Sequence, residues 1–565
     1  TDIDALAFES INLQTKINMV SRVAQFNSNG SGSFVKFPSN KYICYIDELK
    51  WFMDKKEVVL GNIDGFGSGS KFISIHDDQD SLSFVSKSST YNLNDYIIKA
   101  NGVDEIEVAD AVISPSDGKL VVRSNAKMDK LSKASIVVNK AEKYHNLYDS
   151  DIEIFGKRDY SGLGFTKYLG RGVQDQVIEL DTIFVLDNQT IAKGEISEND
   201  NFKFNPQFLY KGSVQLEGLS KEFLYTGSYK IKHDCSLISN GWVKFSDYVG
   251  NEKMRLPVGE NILDEYDQRL YIGPILSGDQ LYPAFLSTLE SENDKEMMPI
   301  NGYLSYDNSK SLFIVTDATD TTEGATTLTM SNSGCIMKGE GSFNFGLDFG
   351  QVEFSNTGEF TYNAMSNSLS STSMMSFDFF MSPKAMDQLG TELKADLADE
   401  LELNEKYYIN NFNRILSDPD LVFEYEMFGE FDKLPKELKR SIYFYEVKLE
   451  WDSESNSLIS KNSLGLGNVN DFQVNKLFLG KIELAKESSG DFFNIYIDTD
   501  IGESYFFGYS NELLISRSTI DEYNIEILEV KTQNRKLDTK KGEVEFQYDL
   551  SSEDDVDNFK KRFFR

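Results

Sequence analysis

Ile152-Glu-Ile-Phe155, a Gly-rich turn, Val177-Ile-Glu-Leu180 and Ile183-Phe-Val-Leu186 follow one another as short apolar runs separated by Gly, Asn or Asp. Runs of this length, rich in β-branched and aromatic residues and bounded by turn residues, are strand signals. The same texture extends from about Leu60 to Phe380 without a sustained 3.6-residue period, so no crossover helices of a βαβ fold are expected there. Upstream, Asp104-Glu-Ile-Glu-Val-Ala-Asp-Ala-Val-Ile113 alternates, Ser114-Pro-Ser-Asp-Gly118 turns, and Lys119-Leu-Val-Val-Arg-Ser124 returns, which reads as a hairpin. Downstream, Phe204 to Tyr210, Gly212 to Leu219 and Phe223 to Ile231 continue the array with no exact period, so no solenoid consensus emerges. The expected fold is mainly β: an extended array of antiparallel strands in stacked sheets, jellyroll-like or sandwich-like.

Working outward, residues 1–60 mix signals. Ile3, Leu6, Ile11, Ile17 and Val20 suit short amphipathic helices, and Asp47 followed by Trp51 and Phe52 suits another over Ile46 to Lys56. Residues 61–260 form the first β array. Residues 261–300, with Pro274, Pro283 and Pro299 among acidic patches, read as a seam or long loop. A second array covers 301–382. Pro383 then opens a helical segment, 383–440, in which Met386, Leu389, Leu393, Leu397 and Leu401 recur every three or four residues, with a second helix over Tyr407 to Leu416. Residues 441–565 return to strands, a β-rich module closed by a helix over Glu553 to Arg565, whose Lys560-Lys-Arg562 suits a helix C-terminus.

Composition narrows the partners. Acidic residues number 91 against 57 basic, a net charge of −34 across 565 residues, so the averaged field repels phosphate backbones and no nucleic acid is expected. The 41 Phe and 28 Tyr suit half-buried pleated surfaces. No run approaches the roughly 20 apolar residues of a membrane-spanning helix. Cys44, Cys235 and Cys335 lie far apart and match no C-x-x-C pattern, so they read as buried small side chains. The start at Thr1, without methionine or signal-peptide pattern, suggests a processed chain or a fragment.

Candidate chemistry is sparse. The three histidines, His76, His145 and His233, form no ligand-spaced pair, and His76-Asp-Asp-Gln-Asp80 reads as a polar turn more readily than as a metal site. Asp317, Asp320 and Glu323 place three carboxyl groups in one loop, a chemistry suited to Ca2+. Asp498-Thr-Asp-Ile-Gly502 lacks the spacing of a calcium loop and reads as a hairpin turn between Ile497 and Tyr505. Gly65-Phe-Gly-Ser-Gly69 lacks the lysine of a phosphate-binding loop, and Ser33-Phe-Val-Lys36 and Ser68-Gly-Ser-Lys71 sit among strand signals instead of opening helices. A pair of carboxylates set for glycoside hydrolysis cannot be nominated, because its separation is spatial. Trp242, Tyr248, Tyr266 and Tyr271 offer rings that stack on sugars or peptides, with ordinary packing as the plainer reading. No cofactor is expected.

Ala109-Asp-Ala-Val-Ile-Ser-Pro-Ser-Asp-Gly-Lys-Leu120, Leu131-Ser-Lys-Ala-Ser-Ile136, Asp151-Ile-Glu-Ile-Phe-Gly156 and the stretch from Gly339 to Phe354 share a cadence of short strand and turn. This cadence resembles OstA-type β-jellyroll proteins of the bacterial envelope, and the Phe- and Tyr-heavy composition is similar to that of large β-rich envelope proteins of Bacteroidota. The resemblance implies an extracytoplasmic sheet stack, in the periplasm, at the outer membrane or on the cell surface, that scaffolds an assembly or shields apolar cargo. The expected function is accordingly non-enzymatic: a structural or assembly component of a bacterial envelope or surface complex, binding other proteins, with Leu393, Leu397 and Leu401 as the docking stripe. The alternatives are a glycan-active hydrolase or glycan-binding protein on a β scaffold, and a lipid-shielding carrier lined by the Phe residues of 340–380.

Overall fold

The computed structural model describes residues 6–30, 32–61, 69–250, 254–278, 280–317, 324–401, 406–487, 489–537 and 544–564. Strands hold 51% of the residues and helices 12%, against roughly 20–25% strand in an average domain, so the protein is mainly β. The chain divides into two compact units, Thr1–Lys230 with Lys244–Met254, and Ile231–Val243 with Arg255–Arg565.

The first unit opens with two facing sheets of five and seven strands. The chain lays down hairpins alternately: Leu13–Asn18 with Val23–Ser28 in the seven-stranded sheet, Phe34–Phe37 with Tyr42–Tyr45 in the five-stranded one, then Glu48–Phe52 with Glu57–Leu60 back in the first. Period-two burial builds the core between them. Ala24, Phe26, Leu49, Val58 and Leu60 point inward from one sheet and Val35, Phe37, Tyr42 and Cys44 from the other. The rings of Phe37 and Tyr91, one from each sheet, meet at 4.7 Å between centroids.

The helical expectation for residues 1–60 is therefore corrected: every element described there is a strand. Trp51 and Phe52 belong to Glu48–Phe52, in which Leu49 sits opposite both Phe26 and Leu60. Cross-strand burial of that row overrides the local helical spacing. The hairpin read over 104–124 is corrected too. Ile106–Val108 pairs with Ala111–Ser114 through a turn in which Ala109 adopts φ 52°, while Lys119–Val122 joins Ile97–Asn101 in the seven-stranded sheet. Ala111–Ser114 continues into an 11-stranded sheet that ends at Val243–Val249. In that sheet the two apolar runs 177–180 and 183–186 are one strand, Gln176–Leu186, whose register shifts where Leu180 faces Gly164 and Ile183 faces Gly162. A bulge keeps the extra residue out of the ladder and lets both runs share one strand.

The second unit is built on a 14-stranded sheet. From Gly302–Asp307 to Gln547–Leu550 every strand pairs with the next in sequence, antiparallel except for the final parallel pair. Residues 261–300, expected as a loop, instead contain a three-stranded sheet of Tyr271–Ser277, Gln280–Ser287 and Lys295–Glu296. Its prolines do not break the ladder because Pro274 faces Pro283, a position where neither residue has an N–H to exchange. Burial of Ile275, Leu276, Ala284 and Phe285 stabilises the pairing.

Helix α1 spans Pro383–Ala395, started by Ser382, whose hydroxyl accepts from the Ala385 N–H, and by Pro383 in the first turn. It ends where the Asp396 carboxylate takes the Ala398 N–H at 2.8 Å, so Leu397 and Leu401 lie beyond it. Helix α2, Lys406–Ile415, matches the second expected helix. Helices α3, Pro419–Phe428, and α4, Asp521–Glu529, add to the expectation, and α5, Glu553–Phe563, is the expected terminal helix. A capping box between Ser552 and Asp555 starts α5, and its last turn carries Lys560, Lys561 and Arg562. No helix among the described residues is long and apolar enough to cross a membrane.

All three cysteines are buried, as expected, and Cys44 is the free thiol among them. Cys235 and Cys335, 100 residues apart, form a disulfide with Cα atoms 5.2 Å apart, a proximity that sequence separation could not disclose.

Candidate interaction surfaces

Several residues singled out by the sequence prove to be structural. His76 starts a 3-10 turn, Asp77–Gln79, by accepting the Asp78 N–H on Nδ1. His145 is buried with Nε2 2.7 Å from the Ser220 carbonyl, and burial holds its pKa below the usual imidazole value. His233 is also depressed by burial, and among the described residues neither of its ring nitrogens has a hydrogen-bond partner. Asp498 to Gly502 forms the turn expected there, with Ile497 facing Tyr505 and Thr499 bonded to Glu503. Ser33 donates its hydroxyl to the carbonyls of Asn12 and Gly30. Ser68 lies outside the described residues, as do Asp320 and Glu323; Asp317 takes the Thr326 N–H at 3.0 Å. No cluster of three or more metal-ligating side chains occurs among the described residues.

The four aromatics differ in environment. Trp242 is buried, Tyr248 donates to Glu217 at 3.0 Å, Arg269 lies 4.8 Å over the Tyr271 ring, and Tyr266 is exposed. Phe343, Phe345 and Phe360, from the stretch expected to line a lipid-holding interior, are buried edge to face on one another.

The leucine stripe separates by position. Leu393 is fully buried with Met386 and Leu389 on the inner face of α1, Leu397 is 79% exposed, and Leu401 packs partly buried against the core beneath α2 and α3. A helix ending at Ala395 cannot present all three on one side. The exposed apolar groups of this region lie elsewhere, at Phe423, Met427 and Phe428 along α3.

A different surface lies at the edge of the seven-stranded sheet. Leu13–Asn18 pairs only with Val23–Ser28, leaving its other edge unpaired among the described residues. Apart from half-buried Leu13 it is exposed on both faces. Ile17 faces Ala24 across the ladder, so it sits in the row that deeper strands bury, yet it remains 53% exposed. Met19 and Val20 in the adjoining turn are 76% and 97% exposed.

The second surface is the polar face of the 14-stranded sheet. Cross-strand pairing lines up Thr329, Lys338, Thr361, Ser370, Glu450, Ile459 and Glu483 as successive neighbours on seven strands. At about 4.8 Å between strands this row is about 29 Å long, and its last member, Glu483, is buried under α5. A parallel row runs from Thr327 through Glu340 and Glu359 to Thr372. Glu340 and Glu359 face each other directly, an arrangement that costs stability. Arg414, reaching from α2, binds Glu340 and offsets part of that repulsion. Glu359 and Lys338 have no side-chain hydrogen bond or ion pair among the described residues. Two concavities lie along the face, one of about 340 Å3 containing Lys338, Glu359 and Ser370, the next of about 470 Å3 containing Glu450, Trp451 and Lys481. Burial lowers the pKa of Lys481, whose ammonium donates to the Ser460 carbonyl at 2.8 Å.

Neither surface carries a sequence motif. The alternation of Lys338 and Glu340, or of Glu359 and Thr361, signals a shared face, but the rows exist only through registers across strands. The chain matches no protein-family model and no curated protein.

Proposed function

We propose that the protein is a structural or assembly component of an extracytoplasmic complex of a bacterial envelope or surface, acting through protein–protein interfaces and not through catalysis. The observation that carries this reading is the strand Leu13–Asn18, unpaired on one edge among the described residues and exposed on both faces beyond Leu13. An edge of this kind presents a row of backbone donors and acceptors to a partner strand, and natural sheets normally cover or disrupt such edges. Lys16 is a single charge on it, flanked by Thr15 and Ile17, which gives limited protection against pairing. The apolar row of α3 offers a second contact.

The disulfide supports an oxidising compartment. Bridges such as Cys235–Cys335 persist in oxidising surroundings and are rare where thiols are kept reduced. The bacterial envelope is the compartment of this kind that the strand-turn cadence implies.

Amine footprinting tests the interface. Lys16 is expected to react freely in the purified chain and to be protected in the assembly isolated from its native source, with cross-links mapping to Leu13–Asn18. Equal reactivity of Lys16 in both states would sink the reading.

A further inference from the structure

We propose that the polar face of the 14-stranded sheet binds a linear, uncharged polyhydroxylated chain, a neutral glycan strand laid across the strands. The site is separate from the strand edge invoked above, and each reading stands or fails alone.

Three observations carry it. The first is shape. The two concavities adjoin, because Ser370 of one faces Glu450 of the other across neighbouring strands, and together they form a track about 29 Å long, six strand spacings of about 4.8 Å. An elongated depression suits a chain more than a compact metabolite, and the volume of each part falls within the range of small-ligand sites.

The second is charge. Lys338 and Arg414 balance Glu340 and Glu359 in the first concavity, and Lys461 and Lys481 balance Glu450 and Asp452 in the second. A molecule of net charge −34 thus keeps this track near neutrality. An anionic polysaccharide meets no net attraction here and repulsion from the molecule as a whole, while a neutral ligand is indifferent to both.

The third is hydrogen-bonding capacity. Among the described residues Lys338 offers an unpaired donor and Glu359 an unpaired acceptor, with the hydroxyls of Thr361 and Ser370 beside them able to do either. Sugar hydroxyls are both donors and acceptors and match such a mixed set.

Titration calorimetry of the full chain with soluble cello-, malto- and chito-oligosaccharides, with oligogalacturonate as the anionic control, tests the proposal. At least one neutral series is expected to bind, tighter with length up to the span of the track. Glu359→Ala and Glu450→Ala, exposed positions on different strands, are each expected to weaken binding about tenfold or more while the chain still folds with a cooperative melting transition. Failure of every neutral series to bind, binding confined to oligogalacturonate, or affinity unaltered in both folded variants would each overturn it.

Discussion

Arg562 of α5 grips Glu483 of the 14-stranded sheet with both arms of its guanidinium, Nη1 to Oε1 at 3.0 Å and Nη2 to Oε2 at 2.7 Å. Only 1% of the Glu483 side chain is exposed, and Asn494 donates to the same carboxylate at 2.9 Å. Phe559, on the same helix, packs its ring on Tyr496 and Phe506. The terminal helix is thereby held by an apolar contact and a fork-shaped ion pair, and Arg517 adds a second ion pair to Glu553 in its first turn.

Replacing Arg562 by Ala strands a buried carboxylate. Removing one partner of a buried pair typically costs about 3–5 kcal/mol; because Arg562 is 48% exposed, about 2–3 kcal/mol is expected here. Adding Glu483→Gln removes the orphaned charge and is expected to restore part of the loss. Urea denaturation of the single and double variants measures both, and a double variant less stable than Arg562→Ala contradicts the assignment.

The two leucines of the expected docking stripe are predicted to behave oppositely. Leu393→Asp places a charge in the core and is expected to prevent the second unit from folding, since even Leu→Ala at such sites costs about 2–5 kcal/mol. Leu397→Asp, at an exposed position after α1, is expected to change stability by no more than about 0.5 kcal/mol. Circular dichroism melts of both variants separate the outcomes, and equal losses would place Leu397 in the core.

The disulfide makes two measurable statements. Denatured but unreduced protein should expose one free thiol, Cys44, because Cys235 and Cys335 are joined. Closing a loop over 100 residues restricts the unfolded chain, so Cys235→Ser with Cys335→Ser is expected to lower stability by about 2–4 kcal/mol. A thiol count of three would exclude the bridge.

Glu296 accepts the Ile272 N–H at 2.8 Å, but burial dominates and raises its pKa above the ordinary 4.5. The folded state therefore binds this proton more tightly than the unfolded state does. Its contribution is most favourable at low pH and is lost as pH rises from the ordinary carboxylate value through the raised one. Glu296→Gln removes this dependence, so the stability of the variant relative to the wild type is expected to climb across that window. A constant difference across that window would refute the assignment.

Legibility varies by element. The helix at Pro383 announced itself through its opening proline and apolar spacing, the terminal helix through its basic last turn, and the strands through alternation and turn residues. The N-terminal region misled because Ile11, Ile17 and Trp51 are spaced ambiguously over a short span, and only pairing of Leu49 with Phe26 and Leu60 resolves the choice. The prolines of 261–300 misled because a ladder accepts them at facing positions that no local rule reveals. Of the polar track, the sequence showed pairs such as Lys338 and Glu340 on one face. It did not show that Glu340 meets Glu359, or that Ser370 meets Glu450, eighty residues away in sequence.

The amino-acid sequence by itself determined the kind of element at most positions, the strongly acidic surface and the faces each strand turns inward, since these depend on side-chain chemistry and a period of two residues. The tertiary structure alone decided which strands are neighbours, that Cys235 reaches Cys335, and which edge and which polar face are left open. Those are relations between segments distant along the chain, and hydrogen-bond register and shared burial, not local propensity, select them.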